Sequence, residues 1–298
     1  MIETKHKIIF GDASDMHELK NGSIQLVVTS PPYFNAPFDY PNLFKGYEEF
    51  LNLLKNVGKE LWRVLEKGRV ACFVVQDVRI NGKLYPIVAD LIKIMTEIGF
   101  TYRDKIIWRK PEGYIRISRR SGVLLQHPYP MYFYPDNIYE EIVIFQKGKF
   151  DFKKFKKIKK DILEKSKIDK NEFLKKKWYL SVWDITNVLP LKGRLEEGIA
   201  AFPEEIPRRL IKLFTLKGET VLDPFLGSGT TTKVAIESGR NSVGYEIDLE
   251  LEQIIKRKIG LGKPTLRKFK VEFIKRPEAK KLRTFLQNKI NIINNKKK

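Results

Sequence analysis

Two short runs near opposite ends of the chain carry residues whose types and spacing suit ligand binding and group transfer. Thr29-Ser30-Pro31-Pro32-Tyr33 follows an apolar segment and combines a hydroxyl group, carbonyl acceptors and an aromatic ring. Its paired prolines restrict the backbone, so these groups would be preorganised. The second run, Asp223-Pro224-Phe225-Leu226-Gly227-Ser228-Gly229-Thr230-Thr231, places a carboxylate and two glycines just before a predicted helix. Both runs therefore supply candidate site residues.

The second run has the pattern of a loop that binds a nucleotide-like ligand. Glycine lets the backbone approach a ligand closely, and the following helix would present free N–H groups near Thr230 and Thr231. A lone Gly-x-Gly has little specificity because many tight turns contain it. The full run from Asp223 to Thr231 is much more specific and predicts a nucleotide-type binding loop.

Both runs resemble the motifs of a known enzyme family. Ser30 to Tyr33 resembles the catalytic Ser-Pro-Pro-Tyr of DNA amino-methyltransferases, and Asp223 to Thr231 resembles their S-adenosylmethionine (AdoMet) loop. In most AdoMet enzymes the cofactor loop precedes the catalytic loop, whereas here it follows, as in the permuted (β) group. The resemblance extends from about Lys7 to about Asp248. It implies a site-specific DNA methyltransferase of the cytosine-N4 type found in restriction–modification systems.

This resemblance also implies which residues hold AdoMet. Asp223 would accept a hydrogen bond from the cofactor's ammonium group, and Glu246, at the end of the following strand, would bind the ribose hydroxyls. Asp12 would reach the adenine amino group, and a simple turn residue is the alternative at this position. Asp248 is an alternative to Glu246, but its position is more typical of a helix N-cap. The predicted cofactor-binding residues are Asp12, Phe202, Pro203, Asp223, Phe225, Gly227, Ser228, Gly229, Thr230 and Glu246.

Phe202 and Pro203 belong to this set through a third short resemblance. Phe202-Pro203-Glu204-Glu205 resembles the family segment that closes over the methionine end of AdoMet. The family often has a histidine a few residues earlier, but this chain has Gly198-Ile199-Ala200-Ala201 there. A role for such a histidine is therefore not expected.

The predicted catalytic residues are Ser30, Pro31, Pro32 and Tyr33, which should lie at the carboxyl edge of the sheet. An exocyclic amine is a poor nucleophile because its lone pair is delocalised into the ring. The Ser30 hydroxyl and the Pro31 carbonyl would accept hydrogen bonds from its two N–H groups and direct the lone pair at the methyl group. Tyr33 would stack on the target base, which must be flipped out of the duplex. The simpler alternative is that this run is only a rigid turn after a strand.

Serine at the first catalytic position indicates the target base. Ser-Pro-Pro-Tyr is typical of cytosine-N4 enzymes and Asp-Pro-Pro-Tyr of adenine-N6 enzymes, so cytosine N4 is favoured. Cytosine-C5 chemistry needs a thiolate in a loop, but Cys72 lies inside an apolar strand and is expected to pack in the core. Methylation of adenine N6, of RNA or of protein remains open, as does a non-catalytic nucleic-acid-binding role.

Charge and composition favour a DNA partner. Lysine and arginine outnumber aspartate and glutamate by 57 to 36, a net charge of +21, which suits a polyanion. Genome composition or a hot habitat is an alternative explanation of this excess. Ile107-Trp108-Arg109-Lys110-Pro111 resembles the family segment that precedes the recognition region. The predicted DNA-binding residues are Arg116, Arg119, Arg120, Lys153, Lys154, Lys156 and Lys157.

Alternating strand-like and helix-like segments predict an α/β protein. Seven strands with crossover helices argue for an open, doubly wound parallel sheet, and the resemblance implies a circularly permuted seven-stranded, Rossmann-like AdoMet-dependent methyltransferase fold. Four regions are predicted: a catalytic half (1–110), a target-recognition region (111–190, with the strand near 139–148 in the main sheet), an AdoMet-binding half (191–260) and a basic C-terminal extension (261–298). The lysine-rich stretch 150–177 and the extension lie outside the seven-stranded scheme.

The remaining expectations concern metals, location and partners. Three histidines and one cysteine show no metal-ligand spacing, so no metal site is predicted. We find no apolar run long enough for a membrane span and no signal-peptide pattern at the start. The single cysteine excludes an internal disulfide and fits a cytoplasmic location. The expected partners are double-stranded DNA and, functionally, a restriction endonuclease, while oligomeric state is not indicated.

Overall fold

The apolar and amphipathic segments fold into a largely parallel sheet with helices on both faces. The computed structural model describes residues 3–35, 43–111, 127–130, 135, 137–188, 201–264 and 266–282. Its strands are β1 (Thr4–Phe10), β2 (Ile24–Thr29), β3 (Leu65–Val75), β4 (Val78–Ile80), β5 (Lys83–Tyr85), β6 (Thr101–Arg109), β7 (Tyr139–Gln146), β8 (Val182–Asp184), β9 (Thr220–Asp223), β10 (Asn241–Glu246) and β11 (Phe269–Lys275). Its helices are α1 (Tyr47–Val64), α2 (Ile87–Ile98), α3 (Phe152–Lys156), α4 (Lys160–Lys165), α5 (Lys170–Lys175), α6 (Glu205–Phe214), α7 (Thr230–Ser238), α8 (Glu252–Lys258) and a 3-10 helix (Leu249–Leu251).

The main sheet brings the two ends of the chain together. Its strand order is β11-β1-β10-β9-β2-β3-β7-β6-β8. Neighbours pair in parallel except for β7, which runs antiparallel to β3 and β6. Strands β10 and β9, from the C-terminal part, lie between β1 and β2, from the N-terminal part. The predicted α/β class with a permuted, Rossmann-like sheet is thus confirmed.

Helices cover both faces because successive residues of a strand point to opposite sides. On one face, Ile9 and Val27 belong to the apolar cluster that includes the inner sides of α1 and α2. On the other face, Leu26 packs with α6 and α7, while Ile8 packs with α7 and α8. This three-layer arrangement buries the middle of the sheet and leaves the carboxyl ends of its parallel strands accessible at one edge.

Two strands extend the sheet beyond the seven that the sequence predicts. At one end, β8 pairs with β6 and buries Trp183. At the other end, β11 pairs with β1 along its whole length. The β11 sequence, Phe-Lys-Val-Glu-Phe-Ile-Lys, mostly alternates apolar and charged residues, as a half-exposed edge strand does. The basic extension therefore contributes a strand to the main sheet, contrary to the prediction that it lies outside.

Two local features depend on contacts with distant parts of the chain. Residues 14–20 form a series of turns, whose Met16 and Leu19 carbonyls accept hydrogen bonds from Arg63 of α1 at 2.8 and 2.7 Å. Gly68 lies within β3 with φ +86°. A Cβ there would approach the Phe150 Cα to 2.8 Å, so only glycine allows this contact without strain. No helix in the described ranges is long and apolar enough to cross a membrane.

Candidate active site

The two sequence motifs meet at the centre of the sheet edge. Strands β2 and β9 are neighbours, paired through Val27 and Leu222 among others, and they end in Thr29 and Asp223. The crossover from β9 leads to β10 on one side, and the crossover from β2 leads to β3 on the other. A crevice opens where crossovers diverge in this way, and ligands of doubly wound sheets bind there.

A buried carboxylate joins the motifs. Asp223 is 1% exposed and accepts hydrogen bonds from the Thr29 hydroxyl at 2.7 Å, the Thr231 hydroxyl at 2.6 Å and the Phe225 amide at 3.1 Å. Burial raises the pKa of Asp223 to about 7, although these hydrogen bonds favour the ionised form. The sequence suggests a contact from Asp223 to the cofactor's ammonium group, whereas here its oxygens bind the protein.

Glu246 anchors the glycine loop to the end of β10. Its two oxygens accept hydrogen bonds from the amides of Gly227 at 2.8 Å and Asp248 at 2.9 Å. Burial, with smaller contributions from the negative charges of Asp248 and Asp223, raises the pKa of Glu246 to about 7. A carboxylate has about four acceptor positions, so Glu246 keeps capacity for two ribose hydroxyls.

A cavity of about 370 Å³ opens at this edge, within the usual range for small-molecule sites. The predicted site residues that line it are Asp12, Ser30, Pro31, Pro32, Tyr33, Phe225, Gly227 and Glu246. Its carboxylates and its apolar side chains suit a nucleoside, and a Cβ on Gly227 would meet no protein atom within 4 Å. The residues present therefore fit an adenosine-containing cofactor.

Six of the predicted cofactor residues lie outside the cavity lining. These are Phe202, Pro203, Asp223, Ser228, Gly229 and Thr230. Phe202 packs in the apolar cluster under α6, and the Ser228 and Thr230 hydroxyls lie 3.3 Å apart. Gly229 adopts φ +90° and forms the N-cap of α7. These residues shape the loop and its support rather than the cavity surface.

Tyr33 is held by Glu140, which in turn forms an ion pair with Lys110. Its hydroxyl donates a hydrogen bond to Glu140 at 2.7 Å, and Lys110 contacts the other Glu140 oxygen at 2.7 Å. Glu140 is 4% exposed, so this contact is shielded from solvent. Lys110 follows β6 and Glu140 lies near the start of β7, so these residues flank the segment between the two strands.

Comparison with known proteins identifies the family. The family model described as DNA methylase, of the N6/N4 methyltransferase type, matches residues 24–257. The chain belongs to this DNA methylase family. It is 38% identical to the Type II methyltransferase M.MjaI of Methanocaldococcus jannaschii over 92% of this chain and 98% of that protein. The DNA modification methylase TTHA0409 of Thermus thermophilus, solved with S-adenosyl-L-methionine, is 28% identical with a TM-score of 0.69, over 91% and 98% of the two chains.

Relatives of this methylase carry names with different target bases. Escherichia coli YhdJ, named a DNA adenine methyltransferase, is 27% identical over 82% of this chain and 79% of that protein. The structure of the PvuII cytosine-N4-specific methyltransferase has a TM-score of 0.60 over 87% and 94% of the two chains. Its 18% identity supports a shared fold and no more. The family is thus shown, and the target base is a separate question.

The predicted DNA-binding residues of the methylase fall into two groups. Arg116, Arg119 and Arg120 lie outside the described residues. Lys153, Lys154 and Lys156 lie on α3 and Lys157 ends it, and Lys154 forms an ion pair with Glu66 at the amino end of β3. The catalytic edge lies at the other end of β3, roughly 30 Å away at 3.3 Å per residue. The structure therefore does not bring these lysines to the catalytic edge.

Several cavity residues of the methylase have no signal in its motifs. Leu43 and Phe44 come from the segment that leads into α1, Glu49 lies in the first turn of α1, and Lys280 and Leu282 come from the C-terminal extension. The Asn35 side chain brackets the first segment, since its amide donates to the Phe44 carbonyl at 2.7 Å and its carbonyl accepts from the Phe44 amide at 2.8 Å. Asn35 has φ +43°, a conformation that asparagine tolerates better than most residues. Among the described residues no group of histidine, cysteine, aspartate and glutamate suits a metal ion.

Proposed function

We propose that this AdoMet-dependent DNA methyltransferase modifies the N4 amine of cytosine within a short double-stranded sequence and protects DNA from a restriction endonuclease. The observation that supports cytosine as the target base is that Ser30 lines the cavity together with Gly227 of the glycine loop. No other described residue forms a hydrogen bond with its hydroxyl, so that hydroxyl is available to a substrate. The AdoMet complex of the Thermus relative supports the cofactor, and the motif order supports the permuted group.

The chain's own residues would position the reacting amine. The Ser30 hydroxyl and the Pro31 carbonyl accept hydrogen bonds from the two N–H groups of the amine. These hydrogen bonds make the nitrogen lone pair available for attack on the methyl group. When bound, AdoMet supplies a methyl group on a positively charged sulfur. A nitrogen–carbon bond forms as the carbon–sulfur bond breaks, and the surplus proton leaves to water. Tyr33, fixed by Glu140, stacks on the flipped base.

The other predicted regions complete the proposal. Residues 1–110 form the catalytic half, 111–190 the target-recognition region and 191–260 the AdoMet-binding half, and 261–298 are the extension. The base-reading contacts are proposed to come from residues 111–138, which follow β6 directly and include Arg116, Arg119 and Arg120. A DNA substrate and the single, buried Cys72 both suit a cytoplasmic enzyme.

Adenine N6 is the second candidate, because the adenine enzyme YhdJ belongs among the relatives. The two are separated by incubating the protein with mixed-sequence DNA and methyl-labelled AdoMet, then digesting the DNA and identifying the labelled nucleoside by mass spectrometry. We expect N4-methylcytosine. N6-methyladenine would overturn the proposed target base and retain the DNA methyltransferase, whereas label confined to RNA or protein would overturn the DNA substrate.

Ser30→Ala tests the proposed role of the Ser30 hydroxyl in methyl transfer. We expect a loss of about 10²–10³-fold in kcat, as for the loss of one preorganised polar contact to a transition state, with unchanged AdoMet affinity. Ser23→Ala, just before the other end of β2, is the matched control and should retain activity. Full activity of Ser30→Ala would remove serine from the mechanism.

A further inference from the structure

We propose that the C-terminal segment Arg276–Leu282 forms the adenosine wall of the AdoMet site, with Leu282 packing on the adenine and Arg276 bracing the Asp12 loop. This inference rests on the proposed AdoMet-dependent function. It assigns a ligand-binding role to a part of the chain that lies beyond the matched family region, which ends at residue 257.

The pairing of β11 with β1 brings this segment to the site. The two strands are in register from Thr4 opposite Phe269 to Phe10 opposite Lys275. The Arg276 amide continues the ladder by donating to the Phe10 carbonyl at 2.8 Å. Because both strands run in the same direction, the chain leaves β11 at the edge where Asp12 follows β1.

Arg276 then binds the Asp12 loop from several sides. Its guanidinium donates to the carbonyls of Asp12 at 3.2 Å and Asp15 at 2.9 Å, and it forms an ion pair with Glu18. Its side chain is 8% exposed. A Cβ on Gly11 would lie 2.6 Å from the Arg276 Cδ, so the glycine before Asp12 makes room for the arginine.

The end of the segment is fastened to the loop after β10. Lys280 exchanges backbone hydrogen bonds with Ile247 at 2.9 Å and Leu249 at 2.8 Å, and the Leu282 amide donates to Asp248 at 3.1 Å. Asp248 is fully buried and also caps the 3-10 helix through the Glu250 amide at 3.0 Å. A buried carboxylate thus ties the extension to the strand that ends in Glu246.

These contacts place Leu282 in the cavity beside Ile247 and Leu251. Three apolar side chains there adjoin the carboxylates of Asp12 and Glu246. A flat purine needs apolar surfaces on its faces and an acceptor for its exocyclic amine, and the ribose needs acceptors for its hydroxyls. These side chains together meet both needs, whereas Ser30 and Pro31 of the same lining suit the reacting amine.

The test measures ligand binding by calorimetry for the full chain and for Leu282→Glu. We expect the variant to bind AdoMet and free adenosine at least tenfold more weakly, because a charge would have to be buried against the base. Leu282→Met keeps an apolar surface and should bind within about threefold of the unmodified chain. Leu266→Glu is the matched control, since Leu266 lies in the same extension and is 88% exposed.

The outcomes separate this inference from the proposed function. If Leu282→Glu binds AdoMet and adenosine as tightly as the unmodified chain and has a normal thermal unfolding midpoint, the proposed adenosine wall is wrong. The proposed methyltransferase function would be unaffected by that result. Failure of the unmodified chain to bind AdoMet would instead overturn the proposed function.

Limited proteolysis gives a second measurement that needs no variant. Lys280 and Lys281 are exposed, and Lys280 lines the cavity. We expect AdoMet to slow tryptic cleavage after these residues, with fragments assigned by mass spectrometry. Equal cleavage rates with and without AdoMet would contradict the proposed wall.

Discussion

At the scale of single residues, the site depends on how a few polar groups share their hydrogen bonds. We propose that the Ser30 hydroxyl binds the substrate, whereas the Tyr33 hydroxyl donates a hydrogen bond to Glu140 at 2.7 Å. These roles differ although the residues lie three positions apart. The difference follows from Glu140, which reaches Tyr33 from a strand more than a hundred residues later.

Glu140 is predicted to act on catalysis through Tyr33. Glu140→Ala and Tyr33→Phe should each slow single-turnover methylation on the order of tenfold, since a hydrogen bond to a charged group contributes about 1.5–3 kcal/mol. The double variant should be no slower than either single variant, because both remove one contact. Glu140→Gln keeps an acceptor and should restore most of the rate. Additive losses in the double variant would show that the two residues act separately.

At the scale of elements, the site is the junction of β2 and β9. Thr29 ends one strand and Asp223 ends the other, and their hydrogen bond joins the strand that leads to Ser30 to the strand that leads to the glycine loop. Helix α7 joins the same junction through Thr231. Three elements from both ends of the chain therefore share one buried carboxylate.

Thr29→Val is predicted to loosen this junction. The variant keeps the side-chain shape but leaves a buried Asp223 oxygen without one of its donors. Unsatisfied buried polar groups cost about 1–3 kcal/mol, so the free energy of unfolding should fall by that amount in urea titrations. Thr101→Val, at the exposed start of β6, is the control and should change stability little. Equal stability of the two variants would exclude a structural role for the Thr29 hydroxyl.

At the scale of the whole molecule, charge is distributed unevenly between buried and exposed sites. Asp223 and Glu246 lie buried at the carboxyl edge, each with its pKa raised to about 7. Lysines of α3 lie at the opposite end of β3. The net charge of +21 therefore does not by itself locate the candidate active site.

The two buried carboxylates predict a pH dependence of stability. Their pKa values are about 7 in the folded protein and about 4 when unfolded. Between these values the folded state binds more protons, so their contribution to the free energy of unfolding falls as pH rises from about 4 to about 7. Urea titrations over this range should show a smaller fall for Asp223→Asn than for the unmodified chain. An identical profile would contradict the raised pKa of Asp223.

The α3 lysines are predicted to increase the affinity for long DNA duplexes and to have no effect on kcat. Replacing Lys153, Lys154, Lys156 and Lys157 by glutamine should leave kcat unchanged, because these residues lie far from Ser30. If they bind phosphates, long duplexes should bind more weakly at every sequence, and the salt dependence should fall by about 0.9 per lost contact. Titrations of short and long duplexes over a salt series check this. A loss restricted to one sequence would contradict a phosphate role.

The sequence by itself determined the motifs, their order, the α/β class and most of the strands. These follow from local patterns, such as the apolar segments that end in Thr29 and Asp223. Only the tertiary structure decided which partners these residues have. Asp223 binds Thr29 and Thr231, Tyr33 binds Glu140, and Leu282 reaches the cavity through the pairing of β11 with β1. Such contacts join residues far apart in sequence, and no local pattern encodes which distant strand will pair. For the same reason, the sequence shows that the α3 segment is rich in lysine but does not show that it lies at the amino end of β3, opposite the candidate active site.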